Sequence, residues 1–265
     1  MVAQPTQLSY ALEVMAHLAR PPAGLSDGAV TGGAVGSSAQ RASPLTMLLA
    51  VLAVGLVAMV LAGCDEDCDF DDVDVVGHDH NPDGVPYPTG QLGATPRQGT
   101  IPGDIIPNFM FRGYVDGTTS GGLRTVSLAD VYDPSGERNL VVHLMAVAMW
   151  CPVCSEQTKA MVAAQPALRA EGAVVVQAVI MGPDPDVPPD RCDLVNWIQE
   201  RNANFTVVLD VNARRIASVA AITAIPWNAL IDARTMEVLQ ADLGAPQDYA
   251  AYVRSALDWV AANPR

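Results

Sequence analysis

The chain has 265 residues and a formal net charge of -14, room for one ordinary domain plus an arm or membrane segment at roughly 100 to 200 residues per domain. The acidic excess lies entirely after Gly63, because residues 1 to 63 hold two acids, Glu13 and Asp27, against two bases, Arg20 and Arg41. Phosphate backbones repel so acidic a part, which excludes nucleic acid as its partner.

Residues 1 to 44 carry little core-forming pattern. GLSDGAVTGGAVGSSAQ, from Gly24 to Gln40, is rich in Gly, Ala and Ser, so this stretch is expected to add nothing to the fold and to precede the true start. Leu45 to Gly63, LTMLLAVLAVGLVAMVLAG, is a 19-residue run without a charge, close to the roughly 20 residues of a bilayer-spanning helix. It runs into LAGC, Leu61 to Cys64, which resembles the lipobox of bacterial lipoproteins. That resemblance implies a lipid anchor on Cys64 after cleavage; the alternative is an uncleaved anchor formed by residues 45 to 63. Either way the rest of the chain is exported to the cell envelope, most simply its periplasmic side. Asp65 resembles an inner-membrane retention signal, although the choice of membrane stays open.

Residues 64 to 99 hold nine acids against one arginine. Such a stretch buries too little apolar surface to offset chain entropy, so it reads as a flexible acidic tether. His78 and His80 within it read as solvated linker residues rather than as metal ligands.

The globular part is expected over 100 to 265. NFMF (108 to 111) and RTVSL (124 to 128), separated by the turn-rich VDGTTSGG, predict an opening hairpin. NLVVHLMAVAM (139 to 149) and GAVVVQAVIMG (172 to 182) are near-continuous apolar runs, as strands buried on both faces should be. Helices are predicted over 154 to 170, packed through Val162, Ala163 and Leu168, and over 192 to 203, packed through Leu194, Val195 and Ile198. TVVLD (206 to 210) is a further strand followed by a short helix through Ala220. WNALID (227 to 232) and MEVLQADLG (236 to 244) predict an antiparallel hairpin, and DYAAYVRSALDWVAA a closing amphipathic helix. Strands alternating with helices argue for an α/β fold, a mixed sheet covered by helices on both faces.

Between the first long strand and the first helix stands WCPVC, Trp150 to Cys154. A structural zinc site needs four ligands, yet no histidine follows His143 and Cys192 is the only later thiol. A redox pair fits better. A CxxC where a buried strand meets a helix points its first thiol at the helix N-terminus, whose free amides stabilise a thiolate. Cys151 is then the nucleophile and Cys154 the resolving thiol, and no dissociable cofactor or metal is implied because the electrons reside in the two sulfurs. His143, inside a buried strand, reads as a hydrogen-bonded core residue that could tune the pair from beneath.

WCPVC, the later VVLD (207 to 210) and IPWNALID (225 to 232), together with the opening IPNF and VSLAD, resemble the thioredoxin-fold redoxins. More narrowly they resemble the TlpA-like, membrane-tethered thiol-disulfide oxidoreductases. The resemblance spans about residues 100 to 263. It implies a thioredoxin-like sheet with an N-terminal β-hairpin extension, a cis bond before Pro226, and docking of a partner backbone at Ile225 and Pro226. It also implies partners that are exported thiol or disulfide proteins or a membrane electron donor. Two departures stand out. Pro152 follows the first cysteine, whereas the family often has proline before the second. Trp227 stands where the family usually has threonine and is expected to border the substrate groove, as Trp150 borders the redox pair.

Two other readings stay open: a thiol peroxidase of the wider redoxin group, although Ala148 stands where its PxxxTxxC pattern needs threonine, and a non-catalytic interaction module. Cys68 and Cys192 either bridge the tether to the domain or remain independent thiols.

Overall fold

In the computed structural model, which describes residues 68, 75–89 and 98–264, the opening hairpin pairs β1 (Met110–Tyr114) with β2 (Arg124–Ser127), in register from Met110↔Ser127 to Gly113↔Arg124. The two apolar runs form β3 (Val141–Ala148) and β4 (Ala173–Met181), and every residue of β3 is buried. Helix α1 (Pro152–Ala170) joins them, and Gly172, at φ 95°, supplies the left-handed conformation that returns the chain to the sheet. Helix α2 (Arg191–Arg201) leads to β5 (Thr206–Leu209); β6 (Trp227–Asp232), β7 (Glu237–Leu243) and α3 (Tyr249–Ala262) complete the order.

The seven strands lie in the order β2-β1-β5-β4-β3-β6-β7. β3, β4 and β5 run parallel, while β6 and β7 are antiparallel to their neighbours. The β3-α1-β4 unit beside β6-β7-α3 is the thioredoxin fold. α2 and β5 are inserted between its two halves, and β1-β2 is the hairpin extension.

The two faces are covered unequally. Buried residues of all three α-helices, among them Met161, Leu168, Trp197, Val253 and Val260, pack on one face with Val141, Met145 and Val175. The other face, with Leu144, Val176 and Ala229, is sealed by 3-10 turns at Leu128–Asp130, Val211–Ala213 and Ile216–Ser218 and by Ile106, Phe109 and Tyr87.

Tyr87 corrects the expected tether. Residues 75–89 pack onto the sheet: Tyr87 is buried and its hydroxyl donates to the Ile106 carbonyl at 2.8 Å. Asn81 is also buried; its Oδ1 accepts from the amides of Asp83 and Val85, and its Nδ2 donates to the Tyr132 carbonyl. A single aromatic ring and a well-satisfied turn here outweigh the acidic composition. The remainder of 64–99, apart from residues 68, 98 and 99, lies outside the described residues, as do segments 1–44 and 45–63 with Cys64.

The packed faces of the helices also differ from expectation. The buried stripe of α1 is Cys154, Gln157, Thr158, Met161, Gln165 and Leu168; Val162 packs against that core partly buried, as expected, whereas Ala163 is exposed and three polar residues share the stripe. In α2 Trp197 joins Leu194 and Ile198 in the buried set, and Val195 packs against it partly buried.

Candidate active site

Strand β3 ends at Ala148, and a tight turn in which the Cys151 amide donates to the Ala148 carbonyl delivers the chain to α1. Cys151 is the N-cap of that helix, and Pro152 at its first position has no amide proton to leave unpaired. The Cys151 sulfur accepts the backbone amide of Cys154 at 3.1 Å, and the two cysteines are joined in a disulfide with their Cα atoms 5.2 Å apart. Cys151 is 5% exposed and Cys154 fully buried, so of the pair only Cys151 can be reached from outside.

The ladder between β3 and β6 stops at Ala146↔Trp227. Pro226, one residue earlier and joined to Ile225 by a cis peptide bond, therefore lies at the sheet edge from which the redox turn departs. Ile225 packs against the core layer that contains Cys151 and Cys154. Trp150 is 44% and Val153 50% exposed, a rim of apolar surface beside the pair. A groove of about 390 Å³ runs from Pro152, Val153 and Glu156 past Gln157 to Ala245 and Tyr249.

Trp227 does not border this surface. It is 4% exposed and packs with Leu144 and Ala229 on the opposite face, because the strand pleat that aims Asn228 toward the helices turns its neighbour away.

Beneath α1 lies a buried polar array in which His143 is the hydrogen-bonded core residue expected, while its partners Asn228, Gln157 and Tyr249 were not foreseen. Asn228 Nδ2 donates to the Gly244 carbonyl at 3.0 Å, and Asn228 Oδ1 is met by Gln157 Nε2 at 2.7 Å and His143 Nε2 at 2.9 Å. His143 Nδ1 lies 3.2 Å from the Tyr249 hydroxyl. Burial holds the His143 pKa down to about 4, against the opposing pull of its bond to Asn228, and burial pushes the Tyr249 phenol up. A second chain of bonds runs from Trp197 Nε1 to Gln177 Oε1, from Gln177 Nε2 to Thr158 Oγ1, and from Thr158 Oγ1 to the Cys154 carbonyl. Among the charged neighbours, Glu156 is exposed and paired with Lys159.

Away from the pair, Cys68 is disulfide-bonded to Cys192 near the start of α2, with Cα atoms 5.2 Å apart, and the Arg191 amide donates to the Cys68 carbonyl. His78 contacts Asp130, and its carbonyl accepts from Asn108 and Ser127, while its side chain stays exposed, as expected of a solvated residue. Among the described residues no cluster of three metal-ligating side chains occurs, and no helix is long and apolar enough to cross a membrane.

Residues 102–236 match the family model described as the AhpC/TSA family, and the chain belongs to that family. Among solved structures it is similar to a protein described as thiol:disulfide interchange protein DsbE from Chlorobium tepidum, at 23% identity and a TM-score of 0.47, covering 60% of this chain and 97% of that one. It is also similar to the thioredoxin domain of a thiol-disulfide oxidoreductase from Bacteroides vulgatus, at 16% identity and a TM-score of 0.46, covering 59% and 98%. A third is a secreted thiol-disulfide isomerase from Corynebacterium glutamicum, at 17% identity and a TM-score of 0.45, covering 60% and 87%. No curated protein matches the chain.

Proposed function

We propose that the chain is an exported, membrane-tethered thiol-disulfide oxidoreductase of the TlpA-like kind, exchanging electrons with thiol or disulfide proteins of the envelope or with a membrane electron donor. The observation that carries this reading is the placement of the Cys151 sulfur at the N-terminus of α1, where it accepts the Cys154 amide and alone of the pair meets solvent. An amide and the positive end of the helix favour the thiolate there.

Reduced Cys151 attacks one sulfur of a partner disulfide, forming a mixed disulfide and releasing the partner's other sulfur as a thiolate. Cys154, after losing its proton, attacks the Cys151 sulfur, closes the internal disulfide and releases the second partner thiolate. Two electrons pass from this pair to the partner; the reverse sequence oxidises a partner dithiol. Trp150, Pro152, Ile225 and Pro226 form the docking rim, and Cys64 or residues 45 to 63 hold the protein at the membrane.

The test is a redox titration of the full chain against glutathione or dithiothreitol, following Cys151 and Cys154 by alkylation and mass spectrometry. A reversible two-electron transition abolished in Cys151→Ser is expected. A midpoint near about -270 mV marks a reductant and one near about -120 mV an oxidant. A disulfide that never opens under these couples removes the exchange reaction.

A further inference from the structure

The polar array beneath the redox helix has a polarity that can be read bond by bond. The Gly244 carbonyl only accepts, so the group that Asn228 turns toward it is the amide nitrogen, and the Oδ1 of Asn228 is left facing the array. That oxygen only accepts, which requires His143 to donate from Nε2 and Gln157 to donate from its own amide nitrogen. His143 is then the neutral tautomer with Nδ1 receiving the Tyr249 hydroxyl proton. One group remains: Gln157 Oε1 is buried and has no donor among the described residues.

Its position gives that oxygen a meaning. Gln157 follows Cys154 by three residues on the buried stripe of α1, and helical side chains lean toward the N-terminus, over the preceding turn. That lean directs its carboxamide toward the turn that carries Cys154. In the disulfide form Cys154 has no proton to donate. Reduction by a partner dithiol breaks the sulfur-sulfur bond and sends two electrons into the pair while the partner closes its own disulfide. Cys151 takes the thiolate position and Cys154, which is fully buried, binds a proton and becomes a new donor. Gln165 Oε1 is likewise without a donor, but it lies more than two further turns along the helix and gains nothing from this step.

We propose that Gln157 is a positioning residue for the redox reaction: its Oε1 accepts the S–H of reduced Cys154, so the buried acceptor is satisfied only in the dithiol state. This rests on the pair cycling as described above. Gln157 then favours the reduced form and holds the proton on Cys154, leaving the charge on Cys151.

The experiment measures the exchange equilibrium of the full chain with glutathione for wild type, Gln157→Leu and Gln157→Met, the second guarding against loss of folding in the first. Removing the acceptor relieves the disulfide form of its unmet oxygen and deprives the dithiol form of its bond, so the equilibrium shifts about tenfold toward the disulfide, some 30 mV more reducing. Infrared spectra of reduced Cys151→Ser, with and without the Gln157 substitution, isolate the Cys154 S–H stretch, which moves to higher frequency when the acceptor is lost. A purely structural role changes the stability of both redox states alike and leaves the equilibrium in place. Variants that fold and stay within twofold of wild type, with an unmoved S–H band, overturn the assignment while the exchange reaction stands. A wild-type pair that does not cycle overturns both.

Discussion

Asn228 and His143, 85 residues apart in the chain, meet through Oδ1 and Nε2 at 2.9 Å in a layer where both are fully buried. The imidazole is kept neutral there, with a pKa near 4 where an unburied histidine has about 6.5.

Because the folded-state value is depressed, the unfolded chain binds the proton more readily, and His143 contributes stability that is fully present above about pH 6.5. That contribution is lost as the pH falls from there through about 4, and at about 1.4 kcal/mol per unit it amounts to roughly 3 kcal/mol. Denaturant unfolding between pH 7 and 4 should show this decline in wild type and a flatter profile in His143→Gln. Equal slopes for the two proteins would refute the assignment.

Trp150 is exposed beside Cys151 and supports no core layer. Trp150→Ala is expected to leave unfolding within about 0.5 kcal/mol of wild type, as surface substitutions do. It should slow reduction by a protein dithiol severalfold while leaving the rate with dithiothreitol unchanged. A proportional loss with both reductants would place the ring in the chemistry rather than in docking.

Tyr87 closes part of the face that the α-helices leave open. Tyr87→Ala should cost about 3 to 5 kcal/mol, the range for truncating a buried aromatic, whereas Tyr87→Phe, which removes only the hydroxyl bonded to Ile106, should cost about 1 kcal/mol. Denaturant midpoints at constant m-value measure both. A negligible effect of the alanine would return residues 75–89 to the role of a tether.

Cys192→Ser opens a covalent loop whose ends are 124 residues apart. The expected loss is about 2 to 5 kcal/mol under oxidising conditions, mainly through a freer unfolded chain, with no change in the midpoint potential of Cys151 and Cys154. A shifted potential would make the second disulfide a participant in electron transfer.

The strands were legible because β3 and β4 are apolar on both faces, so composition alone marks them. WCPVC was legible because its spacing is local. The polar array was not: Gln157 and Asn228 are 71 residues apart and each reads as an ordinary surface amide. Only the register Met145↔Asn228 brings the latter under α1. The misplacement of Trp227 has the same origin, since a residue beside a docking proline faces the groove or the far core according to a pleat that spacing from Pro226 does not reveal. Tyr87 and Asn81 were hidden differently, as two structure-forming residues in a stretch whose average character is acidic.

The loop closed by Cys68 and Cys192 contains β1, β2, β3, α1 and β4, yet β1 and β4 are not neighbours: β5, from beyond the loop, lies between them. Before β5 arrives, the strands inside the loop can form only two separate ladders, β1 with β2 and β3 with β4. A four-residue strand is thus the keystone that fuses the hairpin extension to the redox half of the sheet. As the chain emerges from its N-terminus, both cysteines of the loop are available before that keystone has been made.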